Sequence, residues 1–92
     1  MTWYVYILRC RDGAYYTGLT ADLDRRLREH REGTTHYTGY NPPTGLLYVE
    51  EFGTKTEAER REAQIKRWSR AKKMALIRGD GFALRRLSIS HD

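Results

Sequence analysis

The chain is poor in cysteine and proline, with one and two respectively, and no apolar run approaches the roughly 20 residues that cross a bilayer. Lone Cys10 rules out an internal disulfide framework, and without a second cysteine it completes no zinc or redox motif. No charged-then-apolar leader opens the sequence, so a reducing, cytoplasmic setting without membrane contact is the expectation. Negative charge is the scarcer sign: 12 Asp and Glu stand against 17 Lys and Arg, a net +5. The resulting pI near 9.6 suits a polyanionic partner, nucleic acid first among them. At 39% hydrophobic and 32% charged residues the sequence is neither disordered nor membranous, and 92 residues are expected to form a single domain, 1–92, with its core over 3–80 and a tail over 81–92.

Trp3 to Leu8 is an unbroken apolar and aromatic run of strand composition, and Asp12-Gly13 signals a hairpin leading to a second strand over Tyr15 to Leu19. Gly18 marks a position where backbone or ligand can approach closely. Thr20 is placed to cap a helix whose first turn holds Asp22 and Asp24, and Gly33 stops that helix after His30 or Arg31. Leu23 and Leu27 share its inward face, with Arg26 and His30 on the flank. Thr34 to Gly45 reads as a loop, and Leu46 to Val49 as a third strand ending near Phe52-Gly53. Thr56 to Glu59 fits a capping box opening a helix from about Glu57 to Trp68; Ser69 caps a third helix, Arg70 to Arg78, with Met74 and Ile77 inward and Gly79 at its end. Phe82, Leu84 and Leu87 are expected to dock the tail, with Ser88 to Asp92 fraying. The resulting fold class is α+β: a small three-stranded antiparallel sheet flanked by helices, in the order β-β-α-β-α-α.

Two features of the third quarter bear on chemistry. Ala58, Ile65 and Trp68 form an apolar helical stripe, and Glu62 shares it. A carboxylate there needs Arg26, a metal ion or a solvent-filled cleft beside it, because burying an unpartnered charge is costly. Seven of the fourteen residues from Arg60 to Lys73 are basic, a pattern that serves either as a solvated helix face or as a phosphate-backbone footprint.

Val5-Tyr6-Ile7 and Tyr16-Thr17-Gly18, on either side of the turn, together with Arg26, His30 and Glu62 in that order, resemble the signature of the GIY-YIG endonuclease superfamily. Tyr4 to Leu8 and Arg61 to Lys66 are similar to its short stand-alone bacterial members, and Leu19 stands where repair-type members often carry lysine. The resemblance implies a metal-dependent endonuclease acting on DNA, single-stranded and branched forms included, in repair or processing. It implies Tyr6, Tyr16, Arg26, His30 and Glu62 as catalytic residues, Glu62 as ligand of Mg2+ or Mn2+, and the same antiparallel core. The nucleic-acid footprint would comprise Arg25, Lys66, Arg67, Arg70, Lys72 and Lys73.

The chemistry of those residue types is consistent with this. A hydrated Mg2+ needs only one or two carboxylates, and an arginine fork fits phosphate bidentately. Tyr6 is the expected general base, which requires its pKa to fall by about 3 units, roughly 4 kcal/mol, under the influence of Arg26 and a metal. Tyr16 and His30 would then orient water and phosphate. A plain two-residue hairpin would place Arg9 opposite Tyr16 and send the two tyrosines to opposite faces, so a shared site predicts a three-residue loop or a bulge. The alternatives are a nucleic-acid binding module that does not cut, and an interaction domain displaying Trp3 or Trp68 in an apolar patch.

Overall fold

A computed structural model describes residues 1–33 and 41–89. In chain order the elements are β1 (Trp3–Cys10), β2 (Tyr15–Thr20), α1 (Leu23–Arg31), β3 (Pro43–Phe52), α2 (Lys55–Lys66), α3 (Arg70–Arg78) and α4 (Gly81–Ile89). The strands form one antiparallel sheet ordered β2-β1-β3. The central strand is the most apolar one, as burial on both faces requires: Val5, Tyr6 and Ile7 are all fully buried.

The first turn sets the register. The Cys10 N–H donates to the Ala14 carbonyl and the Gly13 N–H to the Cys10 carbonyl, both at 2.8 Å, closing a three-residue loop, Arg11 to Gly13. Gly13 takes φ +89°, the left-handed conformation that this loop demands of its last residue. Tyr6 then pairs with Gly18 and Leu8 with Tyr16, so both tyrosines emerge on one face, as the shared site required. The turn is held from outside by an Arg11 N–H bond to the Pro42 carbonyl at 2.9 Å and an Asp12 N–H bond to Asn41 Oδ1 at 3.1 Å.

Each face of the sheet has its own cover. Val5 and Ile7 pack with Ala58, Ile65 and Trp68, and around them lie Trp3, Tyr15, Leu19, Tyr48, Phe52, Leu76, Ile77 and Leu84. On the other face Tyr6 meets α1 through fully buried His30. Trp3 and Trp68 thus belong to the core, which removes the exposed tryptophan patch that an interaction domain would have needed.

Several boundaries differ from the sequence expectation, each for a local reason. Asp22, not Thr20, caps α1 by accepting the Arg25 N–H; the Thr20 hydroxyl instead accepts the Asp22 N–H and so orients the cap. The capping box of α2 lies two residues upstream, at Thr54 and Glu57, because β3 ends at Phe52 and Thr54 is the first extended residue able to turn the chain. Both Thr54-x-x-Glu57 and Thr56-x-x-Glu59 satisfy the motif, and the strand end chooses between them. Strand β3 begins at Pro43, inside the expected loop, because a proline is tolerated at the first position of an edge strand. The rest of that loop, 34–40, lies outside the described residues, as do residues 90–92 of the expected frayed end. The tail forms a further helix, α4, capped by Asp80, whose Oδ1 accepts the Ala83 N–H at 3.0 Å. On α3 the fully buried residue is Ala75, and Met74 is only half-buried.

Replacing Gly13 by alanine is expected to cost about 1–2 kcal/mol in a urea titration, since φ is positive there. Gly53→Ala, where an added Cβ meets open space and φ is ordinary, should leave stability level or slightly raised.

Candidate active site

The site is built around the side chain of Tyr6, which leans from the central strand across Gly18 on β2. A Cβ at position 18 would fall onto Cζ and the hydroxyl of that ring, so only glycine lets the phenol pass. Its hydroxyl ends 2.7 Å from His30 Nε2. Tyr16 completes an aromatic triad, its ring centroid 5.1 Å from His30 and 6.4 Å from Tyr6. Helix α1 aims His30 inward while Arg26, one turn earlier, lies on the flank next to the Tyr6 hydroxyl.

Electrostatics separate the two tyrosines. Burial raises the Tyr6 pKa from 10.0 to about 12; the adjacent Arg26 guanidinium pulls the other way without overcoming it, and Glu62 adds a smaller upward push. Arg26 alone therefore does not lower the phenol's pKa; the expected lowering would depend on the metal. Tyr16 is half-exposed. Burial, with Arg26 nearby, also depresses the His30 pKa below 6.5, so the imidazole is neutral at pH 7. Arg26 can only donate, so the Tyr6 oxygen accepts on that side, while the hydroxyl stays in hydrogen-bond contact with His30 Nε2.

Arg26 is held by Glu29, with Nη1 3.2 Å from Oε1, whereas its Nε is buried without a hydrogen-bond partner. Burial disfavours its charge, but Tyr6 and Glu29 outweigh that and raise its pKa further. Glu62, on α2, is mostly buried, with 21% of its side-chain surface exposed, and its partner is Lys66, one turn on, at 3.4 Å. The i, i+4 spacing of Glu62 and Lys66 is the signal that sequence reading passed over when it sought Arg26 or a metal. Glu29 was likewise missed as the holder of Arg26.

The expected nucleic-acid residues do not form one face. Arg25 is exposed on α1. Lys66 and Lys73 approach each other on the Glu62 side, and Lys73 has its pKa lowered by burial and then by the Lys66 charge. Arg70 reaches across the surface to the first hairpin: its Nη1 donates to the Gly13 carbonyl at 2.8 Å and its guanidinium stacks 4.0 Å from the Tyr15 ring centre. Lys72 is 4% exposed with its ammonium 4.3 Å from the Trp68 ring centre, so it is a fixed cation rather than a mobile surface lysine. Arg67 is exposed on another flank of α2.

A titration of phenolate absorbance should show one tyrosine ionising near pH 12, and Tyr6→Phe should remove that step. Because the folded pKa is raised above the unfolded value, this group's contribution of about 2–3 kcal/mol is fully present below pH 10 and is lost as pH rises towards 12. A denaturant midpoint that does not fall faster in wild type than in Tyr6→Phe over that window would contradict the assignment.

Comparison with known proteins agrees with this geometry. The family model of the GIY-YIG catalytic domain matches residues 2–75. A UPF0213 protein of Staphylococcus saprophyticus is 45% identical over 75 residues, spanning 80% of this chain and 92% of that protein. A UPF0213 protein of Halobacterium salinarum is 49% identical over 75 residues, spanning 80% of this chain and 97% of its own. The solution NMR structure of a UPF0213 protein from Bacillus halodurans superposes with a TM-score of 0.58 at 38% identity, covering the whole of both chains. With the two tyrosines, the arginine, the histidine and the glutamate brought to one end of the sheet in the domain so matched, the chain belongs to the GIY-YIG family, among its short UPF0213 members.

Proposed function

We propose that the protein is a metal-dependent endonuclease that hydrolyses phosphodiester bonds in DNA, directed by backbone or structure rather than by base sequence. The observation that carries this reading is the convergence of Tyr6, Tyr16, His30 and Arg26, with the Glu62 charge close enough to act on Tyr6. Among the described residues no three His, Cys, Asp or Glu gather into a metal cage. One mostly buried carboxylate with a weakly held lysine partner fits Mg2+ or Mn2+, which keep most of their water and take one or two protein carboxylates. Glu62 would hold such an ion, which when bound supplies Lewis acidity to the phosphoryl and leaving oxygens.

The chain's own residues divide the remaining work. Arg26 binds the scissile phosphate: its side chain is 38% exposed although Nε is buried, Glu29 steers it, and it stabilises charge developing on the phosphoryl oxygens. Tyr16, the tyrosine with access to solvent, orients the attacking water and, acting as its phenolate, would take up the water's proton to become the neutral phenol. Buried Tyr6 and neutral His30 act as a locked pair that sets the positions of Tyr16 and Arg26. This assignment reverses the order of the tyrosines expected from sequence, because a fully buried phenol at a pKa of about 12 is the poorer base. Access for a bulk polyanion is consistent with the basic surface, and base-reading elements are not needed for it.

Labelled single-stranded, duplex and branched DNA should be cut with Mg2+ and left intact with chelator, and Glu62→Gln should lower the rate by roughly 100-fold or more, the several kcal/mol that a metal contributes. Binding that weakens with salt and is equal in both proteins, without cleavage of any substrate, would replace this reading with that of a non-catalytic binding module. Tyr16→Phe should lower kcat by about 100- to 10,000-fold, the range for general acid–base groups. Because the His30 pKa is lowered, cleavage should hold through the ordinary histidine range and decline only at more acidic pH, where His30 becomes protonated. A decline that begins above the ordinary histidine range would exclude that pair from the mechanism.

A further inference from the structure

The basic run from Arg60 to Lys73 divides three ways in space. Lys66 and Lys73 lie with Glu62, and Arg61 is engaged by Glu50 at 3.0 Å and by Gln64 at 2.8 Å. Arg70 clamps the hairpin. Elsewhere, Arg60 of α2, the α2 C-cap Arg67 and Lys72 of α3 line one cleft of about 380 Å³, together with Ala63, Gln64 and Trp68.

Three properties of this cleft point to an anion. No carboxylate lines it. Arg60 and Arg67 are exposed, and among the described residues neither side chain makes an ion pair or hydrogen bond. The third cation, Lys72, is 4% exposed and fixed over the Trp68 ring at 4.3 Å, so its charge is held in place at the cleft wall at no further entropic cost. Two guanidiniums seven residues apart lie on one outward face of α2, and a 3.6-residue period puts that face away from Glu62. A neighbouring hollow that shares Arg60 and Gln64 is lined by Glu57 and lacks this character.

We propose that this cleft is a second phosphate site, which takes a backbone phosphate of the nucleic acid on the flank of α2 remote from Glu62. The inference rests on the nucleic-acid reading above and extends it: the substrate is gripped at two separated places, the scissile phosphate at Arg26 and a distant one at Arg60, Arg67 and Lys72. The cleft is too open to enclose a small ligand, whereas paired guanidiniums match a phosphodiester's two free oxygens.

The test is equilibrium binding of a labelled DNA oligonucleotide, single-stranded and duplex, in chelator so that nothing is cut, over a series of salt concentrations. Arg60→Gln/Arg67→Gln should make the slope of log affinity against log salt shallower by about 1–2, one released counterion per lost phosphate contact. Arg9→Gln/Arg85→Gln removes the same charge away from the cleft and should change the slope by less than half as much. An unchanged slope, or an equal change in both double variants, overturns the site; if wild-type cleavage persists in that case, the nuclease reading stands alone. Absence of any salt-dependent binding by the wild type overturns both.

Discussion

The structure depends on one close approach, the Tyr6 ring over Gly18. A tyrosine on the central strand has nowhere to put its hydroxyl within a three-stranded sheet unless a neighbouring strand yields, and Gly18 is where β2 yields. The consequence runs outward in both directions. The hydroxyl reaches His30 and thereby fixes α1 against the sheet, which in turn brings Arg26 to the same place. The pairing of Tyr6 with Gly18 also requires the three-residue turn with Gly13 at positive φ, since the two-residue alternative would slide β2 by one and turn Tyr16 to the opposite face. One contact, one turn and one helix are therefore a single constraint.

Much of this was legible because local rules and the needs of the site agreed. The strand at Trp3, the stop at Gly33, the Ser69 cap and the Gly79 end follow from chemistry within a few residues of each position, and the structure keeps them. The loop at Arg11 to Gly13 could be inferred only by asking that two tyrosines meet. Where sequence reading failed, two equivalent local signals competed or a partner lay a turn away. Thr54 and Thr56 open equally good capping boxes, and only the end of β3 decides between them. Asp80 signals the start of α4 as well as any cap in the chain, but in sequence Phe82, Leu84 and Leu87 read only as docking a tail.

The charged residues show why a count along the chain cannot define a surface. Arg60 to Lys73 reads as one basic block, yet two helices and the turn between them rotate its members to different neighbours. Arg70 reaches back to the first hairpin, where its contact with Tyr15 and the Gly13 carbonyl supports the turn that sets the tyrosine register. Lys72 sits against Trp68, which Arg61 approaches at 5.1 Å, so that residue's π surface compensates cations that would otherwise lose hydration. Partner identity, rather than position in the block, determines which cations remain free for an anionic ligand.

The sequence expectation for Tyr6 rested on Arg26 and a metal favouring the phenolate. Packing that makes Tyr6 a good anchor works against that chemistry, since removing its hydroxyl from water penalises the charged form more than Arg26 rewards it. Anchor and base are opposed requirements for a single phenol, and the proposed assignment divides them between two tyrosines. The buried one holds the neutral histidine and aligns its neighbours, while the half-exposed one keeps contact with water. A fold that places both on one face of a short hairpin can therefore combine rigidity and reactivity within a few ångströms, and neither tyrosine alone would provide both.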